Sequence, residues 1–137
     1  MPPLDLNAYL GIEPAALNVY AKRAEVLGAN LANADTPGYL ARDIDFRAAL
    51  AAAGPQSDAL QQPATGAQGL ASPAGGADVS TEQFLKYRVP LAPSLDGNTV
   101  DSQLEESKFA QNTVRFKAAL TFLESRFAAL TTAITGQ

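Results

Sequence analysis

Apolar positions recur at helical spacing near the start of the chain. Leu17, Tyr20, Ala24, Leu27, Leu31 and Ala34 follow one another at intervals of three, four, three, four and three. That is a heptad seam, with Lys22, Arg23, Glu25 and Asn30 mostly off it. Gly11 suits a break and Pro14 a first helical turn, so the pattern predicts an N-terminal helix over 13–35. A further turn is expected from Asp5 to Leu10. The other end carries a longer signal. Phe109, Thr113, Phe116, Leu120, Leu123, Phe127, Leu130 and Ile134 alternate by four and three, predicting a C-terminal helix over 99–135. Val100 and Leu104 lie on a slightly shifted stripe, while Val114 and Phe122 broaden the apolar face. Asn98 or Thr99 is the expected cap, with Ser102 and Glu105 as a capping box.

Between them, residues 36–98 lack a sustained period. Ile44 and Phe46 alternate with charges as a short strand does, and Phe46 to Ala53 fits a brief helix. Residues 54–77 are rich in Ala, Gly, Pro, Gln and Ser without aromatics, a composition that buries too little to offset its ordering entropy and predicts a mobile loop. Tyr87, Val89 and Leu91 alternate, but Pro90 and Pro93 restrict this stretch to an edge strand or an extended segment.

The expected fold is therefore mainly α, a single domain over 1–137. Its N- and C-terminal helices pair as an antiparallel coiled coil, with a loop-rich centre holding short extended pieces. The C-terminal seam is the longer, so part of its apolar face is expected to need a partner outside the chain.

Composition narrows the function. Alanine supplies much of the 47% hydrophobic content, and there is no Trp and one Met, so narrow helix seams fit better than a thick core. The absence of Cys and His removes thiol and imidazole nucleophiles, the usual zinc ligand sets and any disulfide framework. Net charge is -4 with no basic stripe, which argues against nucleic-acid binding. Residues 1–11 have no positive n-region and no run approaches a membrane span, so any export is expected without a cleaved signal peptide.

Asp43 and Asp45 near Arg42, and Glu105 beside Glu106, are the candidate carboxylate pairs. Adjacent helical residues do not face each other and no desolvated pocket is implied, so ion pairing is preferred, exposed at Arg42 and Arg88. Asp96-Gly97-Asn98 resembles part of a calcium loop, but the acidic spacing fails that pattern and a turn with a helix cap is expected. No catalytic, cofactor or metal residue is assigned.

The most specific stretch is Ala29-Asn30-Leu31-Ala32-Asn33-Ala34-Asp35-Thr36-Pro37-Gly38-Tyr39. Physically it is a helix stop followed by a type II turn, in which Pro37 fixes φ and Gly38 supplies the positive φ. Asn30 and Asn33 lie on one side of the last turns, where their amides can reach orphan carbonyls or the returning loop. Tyr39 is expected to pack back on the helix. This string resembles the signature of the flagellar rod, hook and hook-associated proteins. Residues 41–46, 87–90 and 95–101, and the run from Phe109 to Gly136, are similar to the proximal-rod branch of that family. The Met-rich C-terminal helix and Tyr-Glu-Ala-Asn element of the other short rod protein, FlgC, are missing.

The resemblance implies a self-assembling subunit of the proximal rod, part of the drive shaft that transmits torque and encloses the export channel. It implies passage through the flagellar type III export apparatus to the periplasmic side of the inner membrane. Implied partners are other copies of the chain, rod proteins of the FlgC, FlgF and FlgG types, the adaptor FliE and the membrane-ring protein FliF, with no nucleic acid or small-molecule substrate. The seam residues from Leu17 to Leu31 and Phe109 to Ile134 are the expected intersubunit contacts. The readings set against this are a FlgC-like rod protein, a helical export chaperone or binding module, and a cell-wall hydrolase.

Overall fold

A computed structural model describes residues 6–53, 81–90 and 93–136. The predicted loop at 54–77, and Leu91 in the alternating stretch, lie outside the described residues. Four helices and two short strands follow in chain order: α1 (Leu6–Leu10), α2 (Glu13–Ala32), β1 (Arg42–Ile44), α3 (Phe46–Ala53), a 3₁₀ turn (Thr81–Phe84), β2 (Leu85–Tyr87) and α4 (Ser102–Thr135).

Gly11, at φ 66°, makes the break between α1 and α2. Pro14 sits in the first turn of α2, where the missing N–H removes no helical bond, so it starts the helix and does not interrupt it. The helix stops at Ala32, three residues short of the predicted end, because Asn33 leaves helical geometry and its N–H turns back to the Ala29 and Asn30 carbonyls. The start of α4 also differs from expectation. Asp101 caps it, accepting a 3.1 Å bond from Leu104 N–H. Neither Asn98 nor Thr99 is the cap, and Glu105 makes no capping box, because its side chain is withdrawn into the interior.

The two long helices pack together and run antiparallel: Asn30 meets Glu105 near one end, the Tyr20 carbonyl meets Asn112, and Glu13 meets Arg126 near the other. With 34 residues against 20, α4 spans about 51 Å and α2 about 30 Å. Residues beyond Arg126 therefore extend past the start of α2.

The middle of the chain folds back against α2. β1 and β2 form an antiparallel pair with Arg42 opposite Tyr87, Asp43 opposite Lys86 and Ile44 opposite Leu85. Both the predicted strand near Ile44 and the helix from Phe46 to Ala53 are present. Val19, Ile44 and Ala49 are buried together, with Val26, Phe46, Phe84 and Leu85 against them, and Tyr20 stacks on Phe46 at 4.6 Å. This small core explains why Val19, outside the predicted stripe, is only 1% exposed. Helix α2 serves two neighbours, and a single heptad stripe reaches the second through Tyr20 while leaving out Val19.

Candidate assembly surface and the polar network behind it

The turn after α2 is held by side chains from both directions. Tyr39 N–H donates to the Thr36 carbonyl at 3.2 Å across Pro37-Gly38, and Gly38 has φ 73°. Asn33 Nδ2 bonds the Ala29 carbonyl at 2.8 Å, and Thr36 Oγ1 donates to Asn33 Oδ1. Carbonyls of the turn are also served from far along the chain. Asn98 Nδ2 lies 3.0 Å from the Asn33 carbonyl, 2.6 Å from that of Ala34 and 3.0 Å from that of Thr36. Gly97 has φ 73° and Asn98 N–H donates to Asp96 Oδ1, so the Asp96-Gly97-Asn98 turn aims that amide. Thr99 N–H bonds the Tyr39 carbonyl and Gly38 N–H that of Asp96, sewing the two turns together. Asp35 and Pro37 are exposed.

A chain of polar groups runs beneath this turn. Asn30, fully buried, donates to the Arg42 carbonyl at 2.7 Å and to Glu105 Oε2 at 3.0 Å. Its own oxygen accepts from Arg42 N–H and, at 3.4 Å, from the Tyr39 hydroxyl. Glu105, also fully buried, pairs through Oε1 with Arg88. Arg88 Nη2 reaches Asp43 Oδ2 at 2.8 Å, and Arg23 binds Asp43 through two nitrogens at 2.8 and 2.9 Å. Helix α2, both strand segments and α4 are thus joined by charge-assisted bonds at low exposure, where such bonds are strongest.

The electrostatics follow from this packing. Burial pushes the Asp43 carboxyl up, yet hydrogen bonds and charge from Arg23, with help from Ile44 N–H and Arg88, hold it below 3.8. Arg23 is raised, first by its bond to Asp43. Lys108 is lowered, chiefly by burial and then by the nearby positive charge of Arg88. Asp45, a half-buried carboxylate, is lowered first by its bond from Lys86.

These positions correct two expectations. Arg88 is not an exposed ion-pairing residue; its side chain is 13% accessible and bridges two carboxylates. Glu105 is fully buried where no desolvated pocket was expected, because the polar partners arriving from α2 and from Arg88, just after β2, make its burial tolerable.

Helix α4 carries three rows at seven-residue spacing. Glu105, Asn112, Ala119 and Arg126 form the row facing α2; the first two are buried, and Arg126 bonds Glu13 at 3.0 Å and the Tyr9 carbonyl. The next row, Phe109, Phe116, Leu123 and Leu130, flanks it and is largely half-buried. Thr113, Leu120, Phe127 and Ile134 come third, turned further from α2, with Leu120 39%, Phe127 46% and Ile134 83% exposed. The sequence pattern selected the second and third rows as the helix seam. The described chain instead closes its own pair with the first and second.

On α2, Leu27 is fully buried, while Leu17, Tyr20, Ala24 and Leu31 are partly covered. Sequence reasoning missed Arg23, Asn112 and Arg126 as structural residues, and gave Asp43, Arg88 and Asn98 other partners than those they have. The one signal that could have found part of the set is the recurrence of polar residues at 105, 112 and 126 beside the Phe109 row.

A cleft of about 320 Å³ lies beside the turn, lined by Ala34, Pro90, Pro93, Asp96, Asn98 and Asp101 among others. Its carboxylates are engaged, Asp96 by Ser94 and Asn98 N–H, and Asp101 by the start of α4. Among the described residues no group of three or more acidic side chains is placed to hold a metal, and no helix is long and apolar enough to cross a membrane.

Comparison with known proteins bears on the same segments. A family model described as flagella basal body rod protein matches residues 15–39, the part of the chain from α2 through the Pro37-Gly38 turn. The flagellar basal body rod protein FlgB of Salmonella typhimurium is 40% identical over 140 residues, covering 96% of each chain. That of Aeromonas hydrophila is 43% identical over 135 residues and covers 98% of each. The FlgB of Cereibacter sphaeroides is 43% identical over 128 residues, covering 93% of this chain and 94% of its own. With near-complete coverage on both sides, the chain belongs to the FlgB family of flagellar basal body rod proteins, which are structural subunits and not enzymes.

Proposed function

We propose that this subunit joins the proximal rod through the outward rows of α4, while its inner row holds α2. The observation that carries the reading is the open apolar row at Leu120, Phe127 and Ile134, which the chain's own helices leave exposed. Apolar side chains on that repeat gain by burial against a neighbouring helix. The α2–α4 pair then acts as a short antiparallel coiled coil, and the longer α4 continues past it to meet neighbours. Those neighbours are other copies of the chain and rod proteins of the FlgC, FlgF and FlgG types. FliE and the membrane-ring protein FliF lie at the base, on the periplasmic side of the inner membrane. Delivery is through the flagellar type III export apparatus without a cleaved signal. A fold completed partly by neighbours suits a chain that must be threaded unfolded and then built in.

Ile134→Asp tests this. At 83% exposure the substitution changes the purified chain's unfolding free energy by about 0.5 kcal/mol or less. It nevertheless abolishes swimming and removes the protein from isolated basal bodies when it replaces the native copy. Wild-type amounts of the variant in intact rods would overturn the assignment. Leu123→Asp is a less selective probe, since Leu123 sits on the half-buried row that also faces α2 and its loss weakens the monomer as well.

A further inference from the structure

Helix α4 gives its own chain the less apolar of its two available seams. Each polar member of the inner row has a partner on the N-terminal helices: Glu105 with Asn30, Asn112 Nδ2 with the Tyr20 carbonyl at 2.9 Å, and Arg126 with Glu13. The arrangement carries a free-energy penalty. Asn112 is 2% exposed and its Oδ1 has no hydrogen-bond partner, and Glu13 Oε2 is in the same condition. A leucine at 112 would leave no orphan, so stability does not explain the asparagine.

Specificity does. Apolar heptad rows accept many helices, including the α4 of a second copy. In a parallel pair of α4 helices, as in a parallel coiled-coil dimer, the same residues come level with one another. Inner row against inner row in that orientation would set Glu105 against Glu105 and Arg126 against Arg126, with their partners Asn30 and Glu13 left behind. Like charges brought together in this way disfavour the pairing.

We propose that Glu105, Asn112 and Arg126 are specificity-determining residues that assign the inner face of α4 to α2 of the same chain and refuse it to the α4 of a second copy. The test reads that parallel register, in which position 119 meets position 119, and does not depend on the rod reading above. Because the chain has no cysteine, one introduced thiol reports one face. Ala119→Cys lies on the inner row and Leu120→Cys on the outer.

The full-length purified chain carrying Ala119→Cys is oxidised with and without Asn112→Leu. The expected result is little disulfide-linked dimer in the first case and a severalfold rise in the second, with concentration-dependent sedimentation. Asn112→Ala, which removes the amide without adding bulk, should raise the same cross-link. An unchanged yield in both variants, helical by circular dichroism, overturns the proposal. Loss of helix in both also overturns it, since Asn112 would then be needed for stability and not for partner choice. The Leu120→Cys chain is the separate control. Its cross-linking between copies at high concentration reads the outer face, so persistence there with no change at position 119 sinks this inference and leaves the rod surface standing.

Discussion

Asn30 and Glu105 are 75 residues apart in the chain, and the Asn30 amide donates a 3.0 Å hydrogen bond to the Glu105 carboxylate at a point where both residues are fully buried. The same carboxylate pairs with Arg88, so one side chain on α4 ties down the end of α2 and the strand segment together. In an otherwise alanine-rich molecule with few large apolar side chains, this contact fixes where the long helices sit along one another.

Removing one partner of a buried charged pair typically costs about 3 kcal/mol where the other is left uncompensated, and less where a second partner remains. Glu105→Ala leaves Arg88, whose side chain is 13% accessible, with Asp43 as its one carboxylate. Urea unfolding of the purified chain should show that loss. Glu105→Gln, which can still bond Asn30, should lose less.

The Asn98 side-chain amide serves three carbonyls around the end of α2, those of Asn33 and Thr36 also accepting from the Thr36 and Tyr39 N–H groups. Its replacement by Ala returns those groups partly to water, since Asn33 and Ala34 are only half-buried and Thr36 is exposed. A loss of about 1–2 kcal/mol is expected from thermal unfolding. Amide exchange should also accelerate at Gly38 and Thr99, whose bonds stitch the same two turns.

Gly38 occupies the left-handed region at φ 73°, and a Cβ there would meet nothing within 4 Å. The penalty of Gly38→Val is therefore one of backbone conformation alone, about 2 kcal/mol. Gly38→Asn, a residue that tolerates this region, should recover much of it. Equal melting temperatures for the Val and Asn variants would contradict the turn geometry.

The pH dependence has a definite sign. Asp43 has a folded pKa below its ordinary 3.8, so its ionised form stabilises the fold above the carboxylate range, and that contribution fades as pH falls through the folded value. Arg23 is shifted upward, first by its bond to Asp43, so its contribution is complete at every pH near neutrality and disappears only in strong alkali. Asp43→Asn should be less stable than the parent at neutral pH. The gap should narrow as pH drops below about 3.8, a comparison that chemical denaturation at several pH values makes directly.

Much of the scaffold was legible in the residues. The three-four spacing from Leu17 to Leu31 and from Phe109 to Ile134 announced both long helices. The charge alternation around Ile44 announced the strand, and Pro37-Gly38 announced the turn. The buried polar set was less visible. Arg23 meets Asp43 across 20 residues and Asn98 reaches Asn33 across 65, pairings that exist only because the chain returns. Propensity has no term for a donor that arrives from elsewhere, which is why the cap of α4 was placed at Asn98 when that side chain serves the end of α2.

The sequence by itself determined that α4 has a long apolar stripe and that the shorter α2 cannot cover all of it. Periodicity reports surface that must be buried, because side chains four and three apart share one side of a helix. It cannot say against what. Tertiary structure decided that the polar row of Glu105, Asn112 and Arg126 faces inward, because Asn30, Arg88 and Glu13 are brought there to bond it. The Leu120, Phe127 and Ile134 row was left outside, where no group of the described chain covers it.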